Sequence, residues 1–188
     1  MYKRRHFFIL LLITGLLTSC ITTTKADIKL HSKPNLNLKG ASLGVLPFYS
    51  SVPETGAIIS DTIGSNLLGS GLNIIERTYL NNILQEQGLS ISGATENIDF
   101  KAIGKIINVN YLLIGTVEVS ERPYSTGFGA FRKSGTYIFM PSVSTRIVNV
   151  KTGEVLISCT YSVPKKLWSQ PVKIGENIAN EIIKELNK

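Results

Sequence analysis

The first twenty residues constrain this chain more than any other stretch. Met1-Tyr2-Lys3-Arg4-Arg5 is a basic start, and an apolar run opens at Phe7-Phe8-Ile9-Leu10-Leu11-Leu12-Ile13 and ends at Leu17. A helix that crosses the hydrocarbon layer needs about 20 apolar residues, and this run is too short. Basic residues, a short apolar core and then small residues make a secretory signal. Whatever folds here therefore folds after export, from the chain that follows.

The run ends in Leu17-Thr18-Ser19-Cys20, which resembles a bacterial lipobox. The resemblance implies that residues 1–19 are a lipoprotein signal peptide and that Cys20 becomes the acylated, palmitate-bearing first residue. One acyl chain holds a membrane only marginally, whereas several hold it firmly. Ile21 follows Cys20 where an aspartate would retain some lipoproteins at the inner membrane, so an outer-membrane anchor facing the periplasm is expected.

Loss of Met1–Ser19 leaves 169 of the 188 residues, enough for one domain with a real core. The formal charge of +7 falls to +4, because Lys3, Arg4 and Arg5 leave with the signal and no acid does. No clustered basic stripe remains, which removes the compositional support for nucleic-acid binding. Cys159 stands alone in a strand-like run, so no intrachain disulfide is expected and the thiol should pack as a small apolar group. His31 is the one histidine left, and it precedes the domain. A histidine base, a catalytic triad and a histidine-ligated zinc are thereby excluded within that domain. Asp61, Glu76, Glu86 and Asp99 fall on caps or polar helix faces, not as a catalytic couple, and no GxxxxGK[ST] phosphate loop occurs. No cofactor, metal or enzymatic activity is expected.

Residues 20–39 are polar, with Thr22-Thr23-Thr24 and Lys33-Pro34, and read as a tether between the lipid and a single domain at 40–188. Leu43, Val45 and Leu46 mark a strand stopped at Pro47. Pro53-Glu54 opens a helix whose apolar residues Ile58, Ile59, Ile63, Leu67 and Leu68 share a face. A short strand at 72–75 precedes a second helix, capped at Thr78, with Tyr79, Leu80, Ile83 and Leu84 inward. In a third helix, capped at Asn97 or Asp99, Phe100, Ile103, Ile106 and Ile107 align. Gly104 inside that helix costs about 1 kcal/mol against alanine and implies close approach to a neighbour. Tyr111–Val119 reads as a central strand. Val143, Thr145, Ile147 and Asn149 occupy one face of the next strand, and Lys151-Thr152-Gly153-Glu154 turns it into a partner at 155–163. Ile174, Ile178, Ile182 and Leu186 recur every four residues in a closing helix. The expected fold is an α/β (α+β) sandwich, a mixed sheet of about five strands with about four helices packed on it.

Leu43-Gly44-Val45-Leu46-Pro47-Phe48, Ile74-Ile75-Glu76-Arg77, Ile83-Leu84-Gln85-Glu86-Gln87 and Ile103-Gly104-Lys105 come in order along the chain. Tyr111-Leu112-Leu113-Ile114-Gly115-Thr116-Val117 and the stretch Arg146–Leu156 continue the series. Together they resemble the CsgG-like family of periplasmic lipoproteins, over about Leu43 to Thr160. The resemblance implies an envelope protein that assists assembly or secretion through a protein partner and leaves self-association into a ring open. Relatives in that family include curli-secretion channel subunits and activators of peptidoglycan synthases, which are the alternative roles.

Channel members of the family insert two β-hairpins per subunit. Here a candidate exists only for the first, at 124–140, because Pro164-Lys165-Lys166 leads directly to the last helix. In that candidate Tyr124, Phe128, Phe131, Tyr137 and Phe139 supply aromatic rings between Pro123 and Pro141, with Arg132-Lys133 at the turn. Two readings stay open at this point. One is a membrane hairpin with alternating faces; the other is a soluble excursion of two sheet strands that touches a partner through its aromatics.

Overall fold

The computed structural model describes residues 26–75, 77–86, 100–127, 133–163 and 170–188. Seven strands and four helices occur among them: β1 (Asp27–Ser32), β2 (Ser42–Val45), β3 (Tyr49–Ser50), α1 (Pro53–Leu67), β4 (Asn73–Ile75), α2 (Arg77–Glu86), α3 (Phe100–Ile107), β5 (Tyr111–Thr126), β6 (Lys133–Asn149), β7 (Val155–Ser162) and α4 (Pro171–Leu186). The sheet runs β1-β7-β6-β5-β2-β4, and β3 also pairs with β5. β2 lies parallel to both β4 and β5, and β3 is parallel to β5. The pairs β5–β6, β6–β7 and β1–β7 are antiparallel. The sheet is mixed, as expected, with two more strands than the sequence suggested.

Both extra strands have a physical reason. Pro47 interrupts the first strand, and the chain resumes pairing two residues later as β3, against Thr116 and Val117. β1 arises from the segment expected to be a tether, which is a correction to that reading. Ile28 and Leu30 alternate with Asp27, Lys29 and His31 and turn inward onto the core, while the polar residues turn outward. A half-buried edge strand carries only a few apolar residues, so it resembles a polar linker when read in one dimension. Charge on its open side discourages pairing with another chain. Past β1, Lys33 pairs with Glu154, and the Ser32 hydroxyl donates to Glu185 at 2.5 Å.

Helices cover both faces of the sheet. Ile59, Ile63 and Leu67 of α1 and Ile174, Ile178 and Ile182 of α4 pack with Leu43, Leu113, Val143 and Ile157 in the larger core. A smaller core on the other face gathers Leu80 of α2, Ile103 and Ile107 of α3, Leu112 and Val150. Leu112 and Leu113 point to opposite cores, so β5 is buried on both sides, and that is why it reads as a continuous apolar run. Two sequence expectations needed finer resolution. Ile58 and Leu68 lie exposed beside the buried stripe of α1, and Tyr79 is exposed on α2. Ile59, Ile63 and Leu67 recur every four residues and take the inner face, which leaves their immediate neighbours outside. The caps expected at Asn97 and Asp99 lie outside the described residues.

Register fixes what lies at each end of the sheet. Asp27, Ser162, Ser142 and Glu118 form one cross-sheet row, and Ser32, Ile157, Ile147 and Leu113 form another nearer the opposite end. The chain enters β1 at the first of these rows. The β6–β7 turn, where Gly153 has φ +76°, sits at the opposite end.

Candidate functional site

Above the Asp27–Glu118 row the sheet narrows to two strands. β7 ends at Ser162, β2 pairs no further than Leu113 and β3 no further than Val117, yet β5 and β6 continue together to Thr126 and Lys133. The register shifts between Glu118 and Ser120, opposite Phe139 and Ser142, so β6 carries one extra residue there. Pro141 sits in that irregular stretch, where the missing N–H costs no ladder bond. Its carbonyl accepts from Val163 N–H at 2.9 Å. The proline that seemed to bracket the hairpin is therefore a bulge residue inside one 17-residue strand.

Beyond the bulge the pairs Ser120–Phe139, Arg122–Tyr137, Tyr124–Gly135 and Thr126–Lys133 alternate with Glu121–Ile138, Pro123–Thr136 and Ser125–Ser134. Direct partners share a face and successive pairs alternate. One face thus carries Arg122, Tyr124 and Lys133, and the other carries Glu121, Pro123 and the serines. The Arg122 guanidinium lies 5.3 Å from the centroid of the Phe139 ring, a cation–π contact. The Tyr124 ring lies over Gly135, where an added Cβ would come within 2.9 Å of it. A glycine at 135 is what lets the aromatic ring lie down across the ribbon.

The aromatic residues singled out by sequence are separated by this geometry. Tyr124 is on the exposed arm, 43% accessible. Phe139 is 5% accessible and belongs to the larger core with Met140, so it anchors the base of the ribbon and offers no ring to a partner. Tyr137 occupies the register position opposite Arg122. Phe128 and Phe131, like Cys20, lie outside the described residues. Two partners escaped the sequence reading, Arg122 above Phe139 and Gly135 beneath Tyr124. Both follow once the hairpin register is known, and the single bulge at Pro141 hid that register.

Elsewhere the described residues hold little chemistry. No cluster of three or more His, Cys, Asp or Glu able to hold a metal occurs among them, and no described helix is long and apolar enough to cross a membrane. Cys159 is buried and free, and burial, followed by the nearby Glu181 carboxylate, pushes its thiol up to about 11. That is the signature of an inert packing thiol and not of a nucleophile.

Comparison with known proteins places this architecture. No curated protein matches the chain. Among solved structures, the lipoprotein GNA1162 from Neisseria meningitidis is 15% identical, with a TM-score of 0.50, covering 79% of this chain and 98% of that one. The PelC dodecamer from Paraburkholderia phytofirmans is 17% identical, with a TM-score of 0.45, covering 86% of this chain and 97% of that one. The LpoB C-terminal domain from Escherichia coli is 17% identical, with a TM-score of 0.43, covering 67% and 84%. The family described as curli production assembly/transport component CsgG matches residues 38–183, from the end of the N-terminal polar segment through most of α4. Matched over more than three-quarters of its length, the chain belongs to the CsgG family.

Proposed function

We propose that this protein is a lipid-anchored lipoprotein of the bacterial envelope, held at the outer membrane through Cys20, that assists secretion or assembly by binding and not by catalysis. The observation that carries the reading is the β5–β6 ribbon, the one part of the described sheet that leaves the body and is covered by no helix. An isolated two-stranded hairpin is marginal in water, so a ribbon of this kind is expected to gain its stability from what it touches. Membership of a family described by assembly and transport supports the envelope role.

The ribbon favours an accessory role over a channel subunit. Val119–Thr126 gives β5 eight residues beyond Glu118, against about 9–11 for a spanning strand. The second hairpin has no place either. Val150–Glu154 is a tight turn closed by Gly153 N–H to Asn149 carbonyl at 2.8 Å. Only seven residues separate Val163 from Pro171, too few for two spanning strands.

Deletion of Ser125–Ser134 combined with crosslinking in whole cells tests the proposal. The expected result is loss of the crosslinked partner with thermal stability of the body preserved. An unchanged partner set and unchanged function would refute the ribbon as the contact element. The identity of the crosslinked protein then chooses between secretion machinery and a peptidoglycan synthase.

A further inference from the structure

The two faces of the sheet are not covered alike. Over the larger core, α1 and α4 lie across the strands. On the other face α2 and α3 close over Leu112 and Ile114 of β5 and over Val150, and among the described residues the smaller core takes nothing from β7 or β1. The antiparallel side of that face is therefore open. One cross-sheet row there is Tyr49–Thr116–Ser144–Thr160–Lys29, and the next is Ile114–Arg146–Ser158–His31. The intervening residues Val117, Val143, Thr145, Cys159 and Tyr161 are all buried, so alternation turns both rows outward. With about 4.8 Å between neighbouring strands, the first row crosses five strands in about 19 Å.

Arg146 sets this face apart from an ordinary solvated one. It is exposed in the middle of the sheet, with Ser158 on one side and Ile114 on the other. Among the described residues its guanidinium has no hydrogen-bond or ion-pair partner, and neither do the hydroxyls of Ser144, Ser158 and Thr160. The acids of the face stand in the row of Ser142, four residues along β6 and about 14 Å from Arg146. There Glu118 accepts from the Ser142 hydroxyl at 3.0 Å, and Asp27 lies 3.6 Å from Lys29. A planar group with five N–H donors, set beside uncommitted hydroxyls, suits a carboxylate that carries further hydrogen-bonding groups around it.

Shape and composition narrow the ligand further. The face is a sheet surface and not a cleft, whereas small molecules bind in concave sites. Tyr49 and Ile114 are the only large apolar side chains in its two rows, and Ile114 is partly covered by the smaller core. The apolar centre of a protein interface is therefore missing. Tyr49, 47% accessible, offers an aromatic ring at the end of a row of hydroxyls. An extended chain of sugar rings matches this surface. Its hydroxyls exchange hydrogen bonds with the Ser/Thr lattice, and the apolar side of one ring packs on the tyrosine.

We infer that this open face binds a carboxylate-bearing glycan, a uronate chain laid across β5, β6, β7 and β1. Arg146 takes a ring carboxylate, and Ser144, Ser158 and Thr160 meet the neighbouring sugar hydroxyls. The surface lies on the body, below the bulge at Pro141, and depends neither on the ribbon nor on the lipid anchor.

The test titrates the mature chain, by calorimetry, with a short oligogalacturonate, with its methyl ester and with polyglutamate of the same length. The oligogalacturonate is expected to bind, the ester to bind more weakly and polyglutamate not to bind. Arg146→Gln is expected to weaken oligogalacturonate binding by roughly tenfold to a hundredfold and to leave the ester unaffected. Arg146→Lys recovers only part of that loss, because an ammonium lacks the planar fork. Tyr49→Ala weakens both sugar chains alike. An unchanged Tm for Arg146→Gln, an exposed residue without a described partner, confirms that the fold is intact. Failure of the oligogalacturonate to bind, or binding indifferent to Arg146→Gln, overturns the inference. Binding of polyglutamate in place of the sugar makes an acidic peptide the occupant and overturns it as well. Deletion of Ser125–Ser134 is expected to leave glycan binding unchanged, whatever it does to the ribbon's partner; loss of glycan binding there would move the site to the ribbon and overturn the assignment of this face.

Discussion

Replacing Gly104 with alanine separates two opposed effects whose signs can be told apart. Inside a helix, alanine is favoured over glycine by about 1 kcal/mol, so on local grounds alone the change stabilises α3. The neighbourhood reverses this. A Cβ on Gly104 would fall 1.9 Å from Val150 Cγ1 and 2.6 Å from its Cγ2, and Val150 is itself 4% accessible. Val150 is held by its backbone as well, since its N–H donates to Asn110 carbonyl at 3.0 Å. Overpacking a settled core costs about 1–3 kcal/mol, and a contact this short belongs at the upper end. Net destabilisation of about 2 kcal/mol is expected, a fall in Tm of roughly 4–8 °C for a domain of this size. Thermal unfolding by circular dichroism reads it directly. Val150→Ala alone destabilises by leaving a cavity, but the double variant is expected to be more stable than the sum of the two single changes by about 1–3 kcal/mol. A rise in Tm for Gly104→Ala, or strict additivity in the cycle, would refute the contact.

Gly56→Ala is expected to cost about 3 kcal/mol and to resist rescue by any side-chain truncation, because the added Cβ would sit 2.1 Å from the Phe48 carbonyl oxygen; urea unfolding checks it. Cys159 gives a signed pH dependence: its thiol is raised from 9.0 to about 11 by burial, so between those values the unfolded chain loses a proton that the folded chain keeps. Stability therefore falls as pH rises through that window, by at most about 1.4 kcal/mol per unit, and Cys159→Ala removes the slope. Asn110→Ala frees the Ser42 N–H and hydroxyl, both of which donate to Asn110 Oδ1 at 2.9 Å; a loss of about 1 kcal/mol is expected by urea unfolding.

Much of the body is readable in one dimension because it obeys a single period at a time. The repeats Ile59-Ile63-Leu67 and Ile174-Ile178-Ile182 give α1 and α4, and both stripes are buried. Val143, Thr145 and Ile147 alternate inward as their spacing predicts, with Thr145 satisfied by donating to the Ile114 carbonyl at 3.0 Å. Gly104 announces a close neighbour, although nothing in the sequence says that the neighbour is Val150. What escapes is set by long-range pairing. β1 earns its place only by lying beside β7, 130 residues away in the chain, and its two apolar residues are too few to form a local signal. The ribbon escapes because prolines read as strand ends, whereas here Pro123 is on an open edge and Pro141 at a bulge. The burial of Phe139 follows from that same bulge, which turns Phe139 and Met140 both into the core.

The distribution of stability along β5 and β6 bears on how the ribbon can work. Up to Glu118 both strands are paired on two sides and sandwiched between cores. At the bulge, Phe139 and Met140 are cemented into the larger core. Past it, each strand has only the other, and the exposure of residues 123–127 leaves little apolar area to offset the entropy of ordering. Such an arm opens locally at far lower cost than the body. Its open edges are also poor templates for another strand: Pro123 has no N–H to offer, and Glu121 and Lys133 place charge along the rims. Strand addition by a partner is therefore disfavoured, and what remains available is the side-chain face of Arg122, Tyr124 and Lys133. A contact made through that face can order the arm without competing for its backbone, as an incoming β-strand would.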